Sequence, residues 1–251
     1  MAETSISVPD GLVAALRQAR HVAVLTGAGI SAESGLATFR DAQTGLWAQY
    51  RPEDLATPHA FARNPQLVWE WYAWRRAQAA EAEPNPGHRA LVALAQHVPQ
   101  STLITQNVDG LHQRAGSQPV IELHGNITRT KCSVEGTIVN AWPPTEEVPP
   151  PCPRCGGLLR PDVVWFGESL PAHALAAALT AARSCDLFLS IGTSGLVEPA
   201  ASLPRIAQQA GATVVYINLD VTPATSARRY AINGKAGQVL PVLVQRTWPA
   251  G

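Results

Sequence analysis

An α/β fold, a parallel sheet with helices on both faces plus a small lobe set apart from it, is what this sequence predicts. Three observations lead there. Short apolar, β-branched runs recur along the chain and alternate with helix-compatible stretches. Several of those runs end in polar turns, which is where open parallel sheets place their ligands. Two segments, residues 45–83 and 129–161, break the alternation and read as insertions.

In chain order, Val13 to Arg20 reads as an amphipathic helix, and Val22-Ala23-Val24-Leu25 as a buried strand. The strand breaks at Gly27-Ala28-Gly29, and helix-compatible residues resume from Ile30 to Ser34. A strand, a tight glycine turn and a helix start together form the unit that holds a dinucleotide pyrophosphate, which makes the sheet Rossmann-like. Further strands are expected at Thr102–Thr105, Val120–Leu123, Asp186–Ile191 and Thr213–Ile217, and a last one at Val239–Val244, weakened by Pro241;. Helices are expected at Pro86–His97, Ala172–Arg183 and Pro199–Ala210. Of the insertions, the first is helical and tryptophan-rich, and the second carries three cysteines and a proline cluster. The domain division is therefore 1–44, 84–128 and 162–251 for the dinucleotide-binding domain, and 45–83 with 129–161 for the small lobe.

Composition sets limits. A chain of 251 residues with 46% hydrophobic content can bury the core of one large domain with an appendage;. Basic and acidic residues balance at 19 each, so no global field recruits nucleic acid or an anionic membrane;. No apolar run approaches the roughly 20 residues of a membrane span. The N-terminal stretch lacks the basic start and apolar core of a signal peptide. Four cysteines, three of them clustered, fit a metal site in a reducing compartment better than a disulfide framework;. A cytoplasmic protein is expected, with oligomeric state left open.

A bare G-x-G after a strand is weak evidence for a nucleotide. The density of polar groups after it is not typical of a structural turn: Ser31, Glu33, Ser34, Phe39, Arg40 and Asp41 follow in one short stretch. Later come Thr105-Gln106-Asn107-Val108-Asp109-Gly110-Leu111-His112, Glu122-Leu123-His124-Gly125-Asn126, Phe166-Gly167-Glu168, Gly192-Thr193-Ser194 and Asn218-Leu219-Asp220. In content and order, over nearly the whole chain, these resemble the motifs of the sirtuins, NAD-dependent protein lysine deacylases.

The resemblance implies NAD as cofactor and acylated-lysine proteins or peptides as partners. It implies release of nicotinamide and transfer of the acyl group to ADP-ribose. His124 becomes the general base for a ribose hydroxyl, a task suited to an imidazole titrating near neutrality. Taken alone, a histidine at a strand end would more often be structural. Asn107 and Asp109 are implied at the nicotinamide amide and its ribose, with Val108 between them and Gln106 at the ribose. An amide and a carboxylate can pair with a carboxamide's donor and acceptor, although NVDG alone also suits a simple turn. Gly27, Ala28, Gly29, Ile30, Ser31 and Glu33 belong to the cofactor turn, and Phe39 and Arg40 to a loop that shields the reactive ribose. Gly192, Thr193 and Ser194 offer donors to phosphate or ribose. Asn218, Leu219 and Asp220 read the adenosine ribose, and Ala236 completes the set. His112 and Cys185 read as structural.

Tyr72 and Arg75 lie three apart in a predicted helix and so share a face. As bare residues they read as packing and surface charge. In this setting they resemble the Tyr-x-x-Arg signature of the class III sirtuins, which remove succinyl, malonyl or glutaryl groups, and Ala56 matches the small residue that leaves room for such chains. Bacterial members with the signature commonly keep deacetylase activity. Phe166, Gly167 and Glu168 resemble the strand that pairs with a substrate peptide. Sirtuins usually hold a structural zinc on two C-x-x-C pairs. Here Cys152 and Cys155 form one pair, but the other reads Cys132-Ser-Val-Glu135, leaving either a three-cysteine site with Glu135 as fourth ligand or a metal-free lobe;. Mono-ADP-ribosyl transfer and a non-catalytic NAD-sensing module are the alternative functions.

Overall fold

The computed structural model describes residues 6–36, 50–221 and 228–249. Helix α1 (Asp10–Gln18) buries Leu12, Val13 and Leu16 at helical spacing and leads into β1 (His21–Thr26), all six residues of which are buried. That is the pattern of a central strand covered on both faces. Alternate side chains serve opposite layers: Val22 and Val24 enter one apolar cluster, Ala23 and Leu25 the other.

Two 3₁₀ turns follow, Ala28–Ile30 and Ala32–Ser34, so the α-helix start expected at Ile30–Ser34 is corrected. Serine side chains compete with helix formation by bonding locally, and Gly35, at φ 83°, ends the second turn. Next come α2 (Pro52–Leu55), α3 (Pro58–Arg63) and α4 (Pro65–Glu81). Proline in the first turn and side-chain caps from Thr57 and Asn64 start the latter two;. Asn85 starts α5 (Pro86–His97) with a capping box;. The chain continues through β2 (Gln100–Thr105), α6 (Leu111–Ala115), β3 (Val120–Glu122), β4 (Gly125–Cys132), β5 (Leu159–Val163), α7 (Ala172–Ser184), β6 (Leu187–Ile191), α8 (Leu203–Gln209), β7 (Thr213–Asn218), β8 (Arg229–Asn233) and α9 (Ala236–Thr247).

Six strands form one sheet in the order β3-β2-β1-β6-β7-β8, and every neighbouring pair is parallel. Helices α1, α5 and α9 cover one face through Leu16, Leu94, Val239, Leu240 and Leu243. Helices α7 and α8 cover the other through Ala178, Ala182, Leu203 and Ala207. The order reverses between β1 and β6, which places a ligand crevice beyond the carboxyl ends of those two strands.

The run expected as a last strand, Val239–Val244, is the middle of α9. Its buried residues are Val239, Leu240 and Leu243, a one-and-four spacing that only a helix puts on one side. The sixth strand is instead β8, which its sequence RYAIN conceals because only Ile232 of it is buried.

A separate antiparallel ribbon pairs β4 with β5. Against it pack Leu55, Phe61, Val68, Trp71 and Tyr72 of α2–α4, meeting Ile127, Val163 and Trp165. Trp69, with Trp142, lies on a second cluster made by Cys132, Val139, Cys152 and Leu159. Trp74 packs at the margin of the first. The tryptophans of α4 thus serve packing, as expected.

Candidate active site

Glycine sets the floor of the crevice. The Gly29 amide donates to the Gly192 carbonyl at 2.9 Å, and a Cβ on Gly29 would lie 2.7 Å from Gly192 Cα. Gly192 itself has φ +59°. Neither position admits a side chain. The turn after β1 is therefore pressed against the turn after β6, where the sequence placed the cofactor.

Ser31 is the junction of that turn. Its hydroxyl donates to Asp109 Oδ2 at 2.8 Å and accepts from Asn107 Nδ2 at 3.1 Å. Asn107 Nδ2 also reaches the Gly27 carbonyl at 3.1 Å, and Asp109 Oδ1 accepts from the Leu111 amide at 2.9 Å. The expected pair of Asn107 and Asp109 is brought together, and both side chains are already oriented by the protein. Burial raises the Asp109 carboxyl above its usual range, against the bonds from Leu111 and Ser31 and the nearby Arg75 charge;.

His124 stands in the turn between β3 and β4. Gly125, at φ +78°, makes that turn possible, since a Cβ there would fall 2.1 Å from the Asp162 carbonyl. His124 Nδ1 lies 2.9 Å from the Gln106 carbonyl. A carbonyl only accepts, so Nδ1 carries the proton and Nε2 keeps its lone pair. Burial lowers the His124 pKa, partly opposed by the Gln106 carbonyl. Half-buried and neutral, it is equipped to take a proton. His112, by contrast, is buried, with Nε2 2.9 Å from Thr26 Oγ1, a structural placement.

Around the carboxyl ends of β6 and β7 lies a cavity of about 300 Å³. Gln106, Thr193, Ser194, Asn218 and Asp220 line it as the motifs suggested, and Arg205, Tyr216 and Arg229 join them unannounced. The Arg229 guanidinium lies 4.9 Å over the Tyr216 ring. Asn218 Nδ2 donates to the Thr193 carbonyl at 2.9 Å, tying β7 to the β6 turn. Leu219 is exposed. Glu33 is occupied elsewhere: its carboxylate accepts from the Gly237 amide at 2.6 Å, at the start of α9 beside buried Ala236;. Phe39 and Arg40 lie outside the described residues.

Beside the β4–β5 ribbon, Ala56, Tyr72 and Trp165 share one buried cluster, with Val108 packed against it. The Arg75 guanidinium lies 5.1 Å over the Trp71 ring and near enough to Tyr72 and Asp109 for both to favour its charge against burial. Phe166, Gly167 and Glu168 form a turn here and not a strand. The Glu168 amide closes on the Trp165 carbonyl at 3.0 Å, and the Phe166 amide donates to the Ala56 carbonyl at 3.0 Å. Glu168 is held by Arg160 at 2.6 Å, which keeps its carboxyl below the usual range against the effect of burial. Arg160 was missed in the sequence. A lone arginine in the apolar stretch LLRPDVVWF was the signal.

The cysteine segment folds into two matching turns. In one the Gly136 amide donates to the Cys132 carbonyl at 3.0 Å, and in the other the Gly156 amide to the Cys152 carbonyl at 2.9 Å. Both glycines are left-handed, at φ +69° and +75°. Glu135 therefore stands in the first turn where Cys155 stands in the second. Ligand atoms of Cys132, Glu135, Cys152 and Cys155 all lie within 4.8 Å of one another. Amides of Glu135 and Gly157 point at the Cys132 and Cys155 sulfurs, each at 3.4 Å, as around a bound thiolate. Three thiolates and a carboxylate converging this way fit zinc. Cys185 is buried apart from them.

Comparison with known proteins decides the family. The Sir2 family model matches residues 27–199. The chain belongs to the Sir2 family. This sirtuin is 55% identical over 230 residues to the NAD-dependent protein deacylase 2 of Pyrobaculum aerophilum, covering 92% of each chain. It is 49% identical over 246 residues to the NAD-dependent protein deacylase 1 of Pseudomonas aeruginosa, covering 95% of this chain and 98% of that one. A Sir2 homologue solved as its NAD complex superposes with a TM-score of 0.87 at 43% identity, over 98% of this sirtuin and 96% of the homologue.

Proposed function

We propose that this sirtuin, an NAD-dependent protein deacylase, removes acidic acyl groups such as succinyl and malonyl from lysine, and acetyl groups as well, giving nicotinamide and O-acyl-ADP-ribose. One observation carries the acyl reading. Tyr72 and Arg75 project from one face of α4 beside the small side chain of Ala56, with the guanidinium near both the phenol and Asp109. An arginine fork and a phenol are suited to a carboxylate, and a chain ended by a carboxylate is what distinguishes succinyl from acetyl.

NAD supplies the ribose and the nicotinamide leaving group. The chain's part is to hold and orient. Ser31, Asn107 and Asp109 fix the nicotinamide end, and Gln106, Gly192, Thr193, Ser194, Asn218 and Asp220 take the ribose and phosphates. Gly27, Ala28, Gly29 and Ile30 set the backbone beneath them. His124 takes the proton of a ribose hydroxyl at Nε2 while the Gln106 carbonyl holds Nδ1–H. The turn Phe166-Gly167-Glu168 is the proposed floor for the substrate peptide. Cys132, Glu135, Cys152 and Cys155 are the proposed zinc ligands of a small lobe made by residues 45–83 and 129–161. A cytoplasmic setting belongs to the same reading, and no helix among the described residues is long and apolar enough to cross a membrane.

The test is product analysis by mass spectrometry with NAD and matched acetyl-lysine and succinyl-lysine peptides. O-Succinyl-ADP-ribose in excess of the acetyl product is expected. Acetyl turnover alone would leave the deacylase and refute the acidic-acyl preference.

A further inference from the structure

We infer that Trp165 is a positioning residue for acyl-group selection: its indole N–H fills the acceptor side of the Tyr72 hydroxyl, so that the O–H is committed to donate to the carboxylate of the substrate's acyl chain. The inference rests on the acidic-acyl reading and adds to it the group that makes Tyr72 a donor.

The geometry begins with one hydrogen bond. Trp165 Nε1 lies 3.1 Å from the Tyr72 hydroxyl oxygen, and each residue is only 2% exposed. Indole nitrogen is a donor and never an acceptor, so the direction of this bond is fixed by chemistry. A phenol that accepts from it keeps its own proton for another partner. Among the described residues, the bond from Trp165 is the only hydrogen bond at that hydroxyl. A buried hydroxyl with an unused donor is an arrangement proteins avoid unless something arrives to use it. An acyl carboxylate accepts only, and is the matching partner. Burial pushes the Tyr72 pKa up to about 12, against the pull of the Arg75 charge, so the proton stays in place at physiological pH.

The indole is itself immobilised, which a positioning role requires. The Arg160 guanidinium sits 3.2 Å over the Trp165 ring, and the Phe61 ring lies 5.2 Å away. The Trp165 amide donates to Glu168 Oε2 at 2.8 Å. Arg160 holds that same carboxylate at 2.6 and 3.0 Å and the Val163 carbonyl at 2.9 Å. An arginine–glutamate clasp thus fixes the indole, the indole fixes the hydroxyl, and the hydroxyl faces the acyl chain. Without the indole N–H the phenol turns freely and presents a lone pair as readily as a proton. A lone pair facing a carboxylate repels it. An acetyl group has no carboxylate to be affected.

The experiment measures kcat/KM on the full chain with NAD and one peptide carrying succinyl-lysine or acetyl-lysine. It uses wild type, Trp165→Phe, Tyr72→Phe and the double variant, with 3-benzothienylalanine at position 165 as a shape-matched replacement lacking only the N–H. Trp165→Phe and the isostere are each expected to lower the succinyl-to-acetyl ratio about tenfold, the scale of one buried charge-assisted hydrogen bond, through KM for the succinyl peptide. Tyr72→Phe lowers the ratio at least as far, and the double variant no farther than Tyr72→Phe, because the two residues act through one group. If the isostere keeps the wild-type ratio while Tyr72→Phe loses it, the positioning role is overturned and the acidic-acyl reading stands. If Tyr72→Phe also keeps the wild-type ratio, the acidic-acyl reading fails and the role of Trp165 falls with it.

Discussion

The Ser31 hydroxyl donates to Asp109 Oδ2 at 2.8 Å while accepting from Asn107 at 3.1 Å, so one serine joins the turn after β1 to the loop after β2. Asn107 adds a second tie between the same two loops, its Nδ2 donating to the Gly27 carbonyl at 3.1 Å. The consequence is that the protein alone orients Asn107 and Asp109, and at the nicotinamide site proposed for them preorganisation of this kind lowers the cost of binding.

Ser31→Ala tests this. The substitution strips a donor from a half-buried carboxylate and an acceptor from a half-buried amide, each costing about 1 kcal/mol when left unmade. KM for NAD is expected to rise by roughly tenfold, and the denaturant midpoint to fall by a matching amount. An unchanged KM for NAD in titrated kinetics would show that Asn107 and Asp109 do not need the serine.

His124 gives the second prediction. Its pKa is lowered by burial, so the neutral, proton-accepting form dominates above the ordinary value of 6.5. Loss of activity on acidification should therefore have its midpoint below 6.5 in the pH profile of kcat/KM. His124→Ala should cost a factor of about 10² to 10⁴, the range of a general base, with the thermal melt preserved. A midpoint above 6.5 would assign the titration to a different group.

The sheet and most of its helices were legible because burial leaves a period in the sequence. Strand β1 and helix α5 lie where their apolar patterns put them. Misreadings occurred where two periods coincide or where neither exists. The apolar run around Pro241 satisfies both strand and helix, and only the sheet face against which Val239, Leu240 and Leu243 pack decides for α9. Edge strand β8 has one buried residue and so no period to read. In the site, His124, Asn107 and Asp109 stand in conspicuous motifs. Trp165 and Arg160 do not, because their roles depend on partners 93 and 8 positions away. The Glu33 carboxylate contacts the start of a helix 204 positions on, a pairing that spacing cannot reveal.

Acid stability depends on a buried histidine pair. The His88 and His112 rings lie edge to face, 4.8 Å apart. Burial, and then the neighbouring Arg89 charge, lowers His88 to about 4. Burial, and then His88, lowers His112 to about 3. As pH falls below 6.5 the unfolded chain takes up protons at both positions and the folded chain does not, so stability falls with pH. Two such groups add a slope of up to about 2.7 kcal/mol per pH unit between 6.5 and the folded values. His112→Gln should remove about half of that added slope in denaturation series from pH 7 to 4. An unaltered slope would mean that His112 does not stay neutral in the fold.

The metal site gives the last prediction. Glu135 Oε2 is engaged by Thr137 at 3.2 Å and Arg154 at 3.3 Å, which orients the carboxylate and leaves its second oxygen for the zinc proposed on Cys132, Cys152 and Cys155. Carboxylate is a harder ligand than thiolate, so three sulfurs and one oxygen hold zinc less firmly than four sulfurs. Metal analysis of freshly purified protein should find about one zinc per chain, the number a single tetrahedral set accepts. Cys152→Ser should lose the metal. Glu135→Cys restores the second thiolate of its turn, in a backbone that already matches the turn around Cys155, and should slow release to a chelator by about tenfold or more, equivalent to about 1.4 kcal/mol at the rate-limiting step. Glu135→Ala should speed release. If Glu135→Ala and wild type release zinc at the same rate, the carboxylate is not a ligand and its ion pair with Arg154 serves the turn alone.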